Sequence, residues 1–201
     1  MTQYEPRYEQ PSLFSAADVS GSYRVNAPSM LLDISPEALQ GWKQRIFDFQ
    51  QQVREQPAPT QVSLFDLEPT PTQADSLNPF TLPRQNTEFW RWQASDTGTS
   101  ALYFVIDEEV PLLLYVGETV KSNQRWKGEH DCKRYLDNYR MIHYTHQIPT
   151  QLNIAFWPHA PQATRPRQQL ELALILKWRS PFNKENWTLW GTPFTGGKSP
   201  D

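Results

Sequence analysis

The feature that most restricts the fold is one stretch, ALYFVIDEEVPLLLYVGE, spanning 101–118. Two apolar runs rich in Val, Ile, Leu and aromatic residues flank a polar turn at 107–111, which predicts a β-hairpin. Centred on Glu109, the hairpin sets Tyr103 opposite Tyr115, with Cβ atoms roughly 5 Å apart. Gly117, two residues beyond Tyr115, leaves room for close approach of a backbone or a ligand. Cross-strand tyrosine pairs are usually packing alone, so the hairpin says little about function by itself.

Composition separates this hairpin from what precedes it. Of the eight tryptophans, only Trp42 lies before Trp90, whereas ten of the eighteen prolines fall within the first 90 residues. Pro-rich sequence works against long packed elements, so the globular domain is expected at 85–192, with a flexible tail at 193–201. Residues 1–90 carry 6 Lys+Arg against 11 Asp+Glu, and residues 91–201 carry 13 against 11. The overall charge of −3 therefore hides a slightly basic domain behind an acidic leader. A generic nucleic-acid binder is far more basic, so any such contact has to come from a local patch. The single cysteine, Cys132, excludes an internal disulfide. With His143 and His146 it makes only a three-ligand set, weak evidence for zinc. No apolar run reaches membrane-spanning length and the N-terminus is polar, so a cytoplasmic protein without a membrane partner is expected.

The leader, 1–84, reads as largely disordered, with one amphipathic helix near 36–54. Ser35 can cap it, Pro36 suits its first turn, and Leu39, Trp42, Ile46, Phe49 and Val53 recur at helical spacing. Such a stripe has to dock on the domain or on a partner. The leader also repeats a short pattern, QPSLF at 10–14 and QVSLFDL at 61–67. Apolar pairs in an acidic, unstructured segment suit a groove that orders them on binding. Both pentapeptides resemble the bacterial sliding-clamp-binding motif. That resemblance implies that Gln61 hydrogen-bonds at a pocket rim while Leu64 and Phe65 fill it, with Gln10, Leu13 and Phe14 as a second copy weakened by Pro11.

Beyond the hairpin, Arg125 starts an expected helix over 122–137, capped by Ser122 or Asn123. QLNIAFWP, 151–158, predicts a third strand, and a helix near 165–179 is apolar almost all round except for Glu171. A carboxylate there is costly unless paired, protonated or bound to a cation. Taken together, these residues resemble the GIY-YIG nuclease superfamily over roughly 99–185. The first motif stands as Ala101-Leu102-Tyr103, the second as Tyr115-Val116-Gly117, the arginine as Arg125, and the acidic helix as Glu171 running on to Asn183. The resemblance implies a small α/β domain with a three-stranded, mostly antiparallel sheet flanked by helices. Two departures stand out. Ala101 replaces the family glycine, and His130 follows Arg125 by five residues where the family spacing is three or four. Five residues on a regular helix turn His130 about 140° away from Arg125. Either Gly128 permits a bulge that turns His130 inward, or the usual histidine is lacking.

The resemblance implies a metal-dependent DNA endonuclease that hydrolyses phosphodiester bonds. Glu171 would hold a single Mg²⁺ or Mn²⁺, Arg125 would neutralise phosphoryl charge, and Tyr115 would act as general base. Tyr103 would position the water, His130 would relay the proton and Asn183 would brace the site. Lys121, Lys127, Lys133, Arg134 and Arg140 are candidates for DNA-backbone contacts, although a solvated helix face accounts for any one of them equally well. The bacterial polymerase sliding clamp would direct the enzyme to replication, repair or mismatch intermediates. The rival is a non-catalytic adaptor that keeps the fold and binds the clamp or branched DNA.

Overall fold

The computed structural model describes residues 34–55, 73–87, 99–120 and 131–195. Its elements are α1 (Pro36–Glu55), the one-turn α2 (Gln73–Ser76), β1 (Arg84–Asn86), β2 (Ala101–Asp107), β3 (Leu112–Thr119), α3 (Asp131–Thr145), β4 (Leu152–Trp157), α4 (Thr164–Trp178) and the one-turn α5 (Trp187–Trp190). The class is mixed α/β, with one antiparallel sheet in the order β1-β4-β2-β3. Four strands stand where three were expected. The extra one, β1, has only three residues and shows no period for a sequence pattern to reveal.

The central strand β2 is buried along its whole length because both sheet faces are covered. Tyr103 and Val105 point into a layer with α1, α3, Phe182 and Phe194. Leu102, Phe104 and Ile106 point into the other layer, with Leu170, Leu174, Ile175 and Trp178 of α4. This alternation is the period of two that a strand imposes on its side chains.

The hairpin register differs from expectation. Tyr103 pairs with Gly117 and Val105 with Tyr115, and a β-bulge follows, since Ile106 pairs with Leu113. Leu114 is thus the extra residue, and the alternation slips there. Leu112 and Leu114 lie in the first layer, and Tyr115 packs against that same layer instead of the opposite one. The bulge therefore brings Tyr115 onto the face of Tyr103, diagonal to it, with ring centroids 5.9 Å apart.

The compact unit begins well before residue 85. Ser35 Oγ accepts from the Ala38 N–H at the start of α1, and Leu39, Trp42 and Ile46 are 0–3% exposed in the first layer. Their i, i+3, i+7 spacing buries one side of the helix against the sheet. Residues 73–84, expected to be disordered, also pack: Ala74 and Leu77 are buried against the second layer. Lys177 Nζ donates to the Ala74 and Asp75 carbonyls, 2.8 Å each, satisfying the open end of α2. The 193–195 stretch belongs to the core as well, because Phe194 is fully buried against Trp42, Tyr139 and Phe182. Helix α3 runs to Thr145, beyond the expected 137, since Tyr139, Ile142 and His143 continue its buried face. Among the described residues no helix is long and apolar enough to cross a membrane.

A buried polar knot joins α1, β2 and α3. Asp107, wholly buried, accepts from Lys43 Nζ (3.0 Å), Tyr139 Oη (2.7 Å), Thr150 Oγ1 (3.0 Å) and the N–H groups of Gln151 (3.0 Å) and Glu109 (3.1 Å). His143 Nδ1 lies 2.8 Å from the Tyr139 carbonyl and Nε2 lies 3.1 Å from Lys43 Nζ. A carbonyl only accepts and an ammonium only donates, so Nδ1 carries the proton and the imidazole is neutral. Burial, with the Lys43 charge beside it, pushes His143 down to about 4 from its ordinary 6.5. Burial alone would raise Asp107, but Lys43 and the hydrogen bonds outweigh it and hold the carboxyl below its usual range.

The sign follows. The unfolded chain protonates His143 before the folded chain does, so stability falls as pH drops from 6.5 towards 4. Below the ordinary carboxylate range, protonation of Asp107 removes more. Chemical denaturation should show a loss of roughly 2 kcal/mol between pH 7 and pH 4 from His143, and His143→Gln should flatten that window. An equally steep profile in the variant would reject the assignment.

Candidate active site

Strand β3 is the sheet edge, and an edge leaves alternate N–H and C=O groups without ladder partners. Two buried side-chain amides take their place. Gln50, from α1, accepts from the Leu113 N–H (2.8 Å) and donates to the Leu113 carbonyl (3.0 Å) and the Trp178 carbonyl (3.1 Å). Asn183 accepts from the Val116 N–H (3.0 Å) and donates to the Val116 carbonyl (2.9 Å). Between them, the Phe182 N–H donates to the carbonyl of the bulged Leu114 (2.9 Å). Ser180 Oγ donates to Asn183 Oδ1 (2.6 Å) and so sets which way round the amide lies.

Gly117 is required for space. Tyr103, fully buried between Tyr115 and Phe156, lays its ring across Gly117. A Cβ built there would sit 2.6 Å from Tyr103 Cε1 and closer still to Cζ and Oη. The approach anticipated at Gly117 is therefore made by the hairpin's own tyrosine.

Beside this edge, where β3 meets α3 and α4, opens a cleft of ≈ 490 Å³. Tyr115 of β3, Glu171 of α4 and Asn183 line it together, with Cys132 and Tyr135 of α3 on another wall and Phe182 below. Fifty-six positions separate Tyr115 from Glu171, and the sheet brings them to one cavity. Tyr103 does not line it; it stands behind Tyr115, within a hydrogen bond of that phenol. Tyr103 therefore meets the cleft through Tyr115. Burial, then the neighbouring Tyr103, the Cys132 thiol and the Glu171 carboxylate push Tyr115 far above the ordinary range. Among the described surroundings, the phenol is a hydrogen-bond donor at neutral pH.

The cleft lining also includes Asp131, Glu185, Lys184 and Gln168. Lys184 Nζ lies 3.7 Å from Asp131, both half-exposed or more. Three carboxylates against one ammonium make the described walls net acidic. The basic helix candidates do not reverse this: Arg134 pairs with Asp131 at 3.0 Å and Arg140 with Asp137 at 3.6 Å, while Arg140 also reaches Thr87. Lys133 stands half-buried on the same helix. No group of three or more His, Cys, Asp or Glu side chains able to hold a metal occurs among the described residues. Cys132 and His143 both lie on α3, but His143 is tied to Lys43, and His146 meets the Ile34 carbonyl at 2.7 Å. Arg125, His130, Lys121 and Lys127 lie outside the described residues, as do Gln10, Leu13, Phe14, Gln61, Leu64 and Phe65.

Sequence reasoning missed Tyr135 and Gln168 as cleft residues and Gln50 as the second edge amide. Gln50 extends the Trp42–Ile46 stripe by one turn, a position where a polar residue on a buried face is the available signal. Compared with known proteins, the chain matches no family model, and no curated protein or solved structure matches it at a significant level.

Gly117→Ala should lower stability by ~2 kcal/mol, because the Tyr103 ring, buried between Tyr115 and Phe156, must be displaced to admit the methyl group. An unaltered denaturation midpoint would show that the ring gives way freely.

Proposed function

We propose that the chain is a metal-dependent DNA endonuclease of the GIY-YIG type. The observation that carries this reading is the meeting of Tyr115, Glu171 and Asn183, from three segments far apart in the chain, in one cleft. In this reading Asn183 braces the strand that carries Tyr115 through its two bonds to Val116.

The donor set suits Mg²⁺ or Mn²⁺. Such ions keep several waters and need only one or two carboxylates, which Glu171 supplies, with Asp131 and Glu185 near the same cavity. Zinc would ask for three or four nitrogen, sulfur or carboxylate ligands. When bound, the cation would supply charge stabilisation at phosphorus and at the leaving oxygen. Glu171 would also draw that cation into the one cavity where Tyr115 is available. Tyr115, held protonated by burial, orients water as a donor, and becomes a base only with a positive neighbour, a role we assign to Arg125. Tyr103 fixes the position of the Tyr115 ring from behind.

Walls this acidic bind DNA weakly by themselves, so recruitment matters. The peptides at 10–14 and 61–67 would tether the domain to the bacterial sliding clamp and raise its effective concentration at replication, repair or mismatch intermediates. The second reading, a non-catalytic clamp- or branched-DNA-binding adaptor, draws its support from the high proton affinity of Tyr115, which works against a base role, and from Ala101 in place of the motif glycine.

Two experiments separate these readings. A panel of mismatched, flapped, branched and plain duplexes with Mg²⁺ or Mn²⁺ should be cut by the wild type, and Glu171→Ala or Arg125→Ala should each lower the rate by about a hundredfold or more. No cutting of any substrate leaves the adaptor. Separately, affinity for a bacterial clamp should fall by about tenfold or more in Leu64→Ala/Phe65→Ala, and an unchanged affinity removes the tether at 61–67.

A further inference from the structure

The rim of the cleft has an unexpected chemistry. On α4, Gln168, Leu172 and Leu176 follow one another at four-residue spacing along the outward side, with Gln169 and Ala173 beside them, all exposed. Leu172 is 45% and Leu176 56% exposed, two of the five large apolar side chains so placed among the described residues. No charged side chain interrupts that side between Gln168 and Leu176. Glu171 turns into the cleft, and Lys177 is engaged with the Ala74 and Asp75 carbonyls.

Leu172 and Gln168 belong to this face and to the cleft lining at once. The ridge is therefore continuous with the cavity that holds Glu171. Lys184 stands on the Asp131 side of the cleft, but on the α4 side the rim offers a phosphate no Lys, Arg or small donor between Gln168 and Leu176. Leucine offers nothing to a phosphate, and paired, stacked bases present it no free apolar face. An unstacked base does, and apolar side chains that insert at a base step act in this way.

We propose that the outward ridge of α4, led by Leu172, is a base-contacting wedge that selects nucleic acid with an unstacked or unpaired base next to the scissile phosphate. This rests on the nuclease reading of the same cleft, and deepens it by naming the substrate class. Gln168 lies one turn before Leu172 and offers an amide to the edge of the displaced base. The neutral ridge also fits the acidic walls: attraction to the duplex backbone is weak, so discrimination falls to the distorted base.

The test uses the full chain. With cleavage blocked by Glu171→Gln in the presence of Ca²⁺, an oligonucleotide carrying 2-aminopurine at a mismatch or flap junction should brighten on binding. Leu172→Ala in that background should abolish the brightening, and Leu172→Met should retain it. In the cleaving protein, Leu172→Ala should lower the preference for mismatched or flapped DNA over perfect duplex by about five- to tenfold, and Leu172→Met should retain it. Leu172 is half-exposed, so these variants leave the core untouched. Cleavage with an unaltered preference overturns the wedge and leaves the nuclease standing. Absence of any DNA binding or cutting overturns both. If Leu172→Arg instead converts a dimer into a monomer by light scattering while brightening persists, the ridge is a contact between copies and the wedge is wrong.

Discussion

The open edge of β3 is the constraint on which the rest depends. A buried strand cannot leave backbone donors and acceptors unpaired without a cost of about 1–3 kcal/mol per group. Here the missing neighbour is assembled from pieces: Gln50 at Leu113, the Phe182 N–H at Leu114 and Asn183 at Val116. These contacts hold the bulge in place. The bulge puts Tyr115 on the side of the sheet where Tyr103 supports it and where the cleft opens. Remove the seal and Tyr115 has no reason to face Glu171.

The same seal ties the N-terminal helix to the cleft. Gln50 and Lys43 both sit on α1, one bonded to the tip of the hairpin and the other buried with Asp107 and His143. Helix α1 is thus a structural part of the domain, not an appendage that happens to lie on it. The polar knot around Asp107 is fully partnered, so it adds direction to a mostly apolar layer of Trp42, Tyr139, Phe182 and Phe194. Fully satisfied buried networks specify one arrangement, because every alternative leaves some member unpaired. The cleft then lies where three elements converge, with polar donors on the β3 side and an apolar ridge on the α4 side.

How much of this could be read beforehand varies residue by residue. Helix α1 and strand β4 were legible from the spacing of their apolar residues, and α4 from a run apolar nearly all round, of which Leu170, Leu174 and Ile175 face the core while Leu172 and Leu176 stay exposed. Tyr115, Glu171 and Asn183 were singled out by motif order, and they do line one cavity. The run Leu112-Leu113-Leu114 carries no alternation, so nothing marked where the phase slips, and the hairpin register was set two residues away at Tyr115. Polar Gln50 and Lys43 were overlooked because hydropathy treats a buried amide or ammonium as surface, and Gln168 because an exposed glutamine on a helix carries no signal. The reach of the core into 73–84 and to Phe194 was hidden by prolines, which suppress periodicity without preventing packing.

By itself the sequence determined the class of fold, the identity of the main elements and which residues were chemically capable of acting together. The elements follow from local physics, namely spacing, capping and strand propensity, and Glu171 stood out by the cost of a carboxylate on an apolar helix, whereas the grouping of Tyr115, Glu171 and Asn183 came from the order of the motifs. Only the tertiary structure decided that Tyr103 supports Tyr115 instead of touching the cleft, that Arg134 and Arg140 are already paired, and that leucines line the rim. Those outcomes depend on register, on edge partners and on which side of a helix stays uncovered, and such choices are made by contacts between residues far apart in the chain.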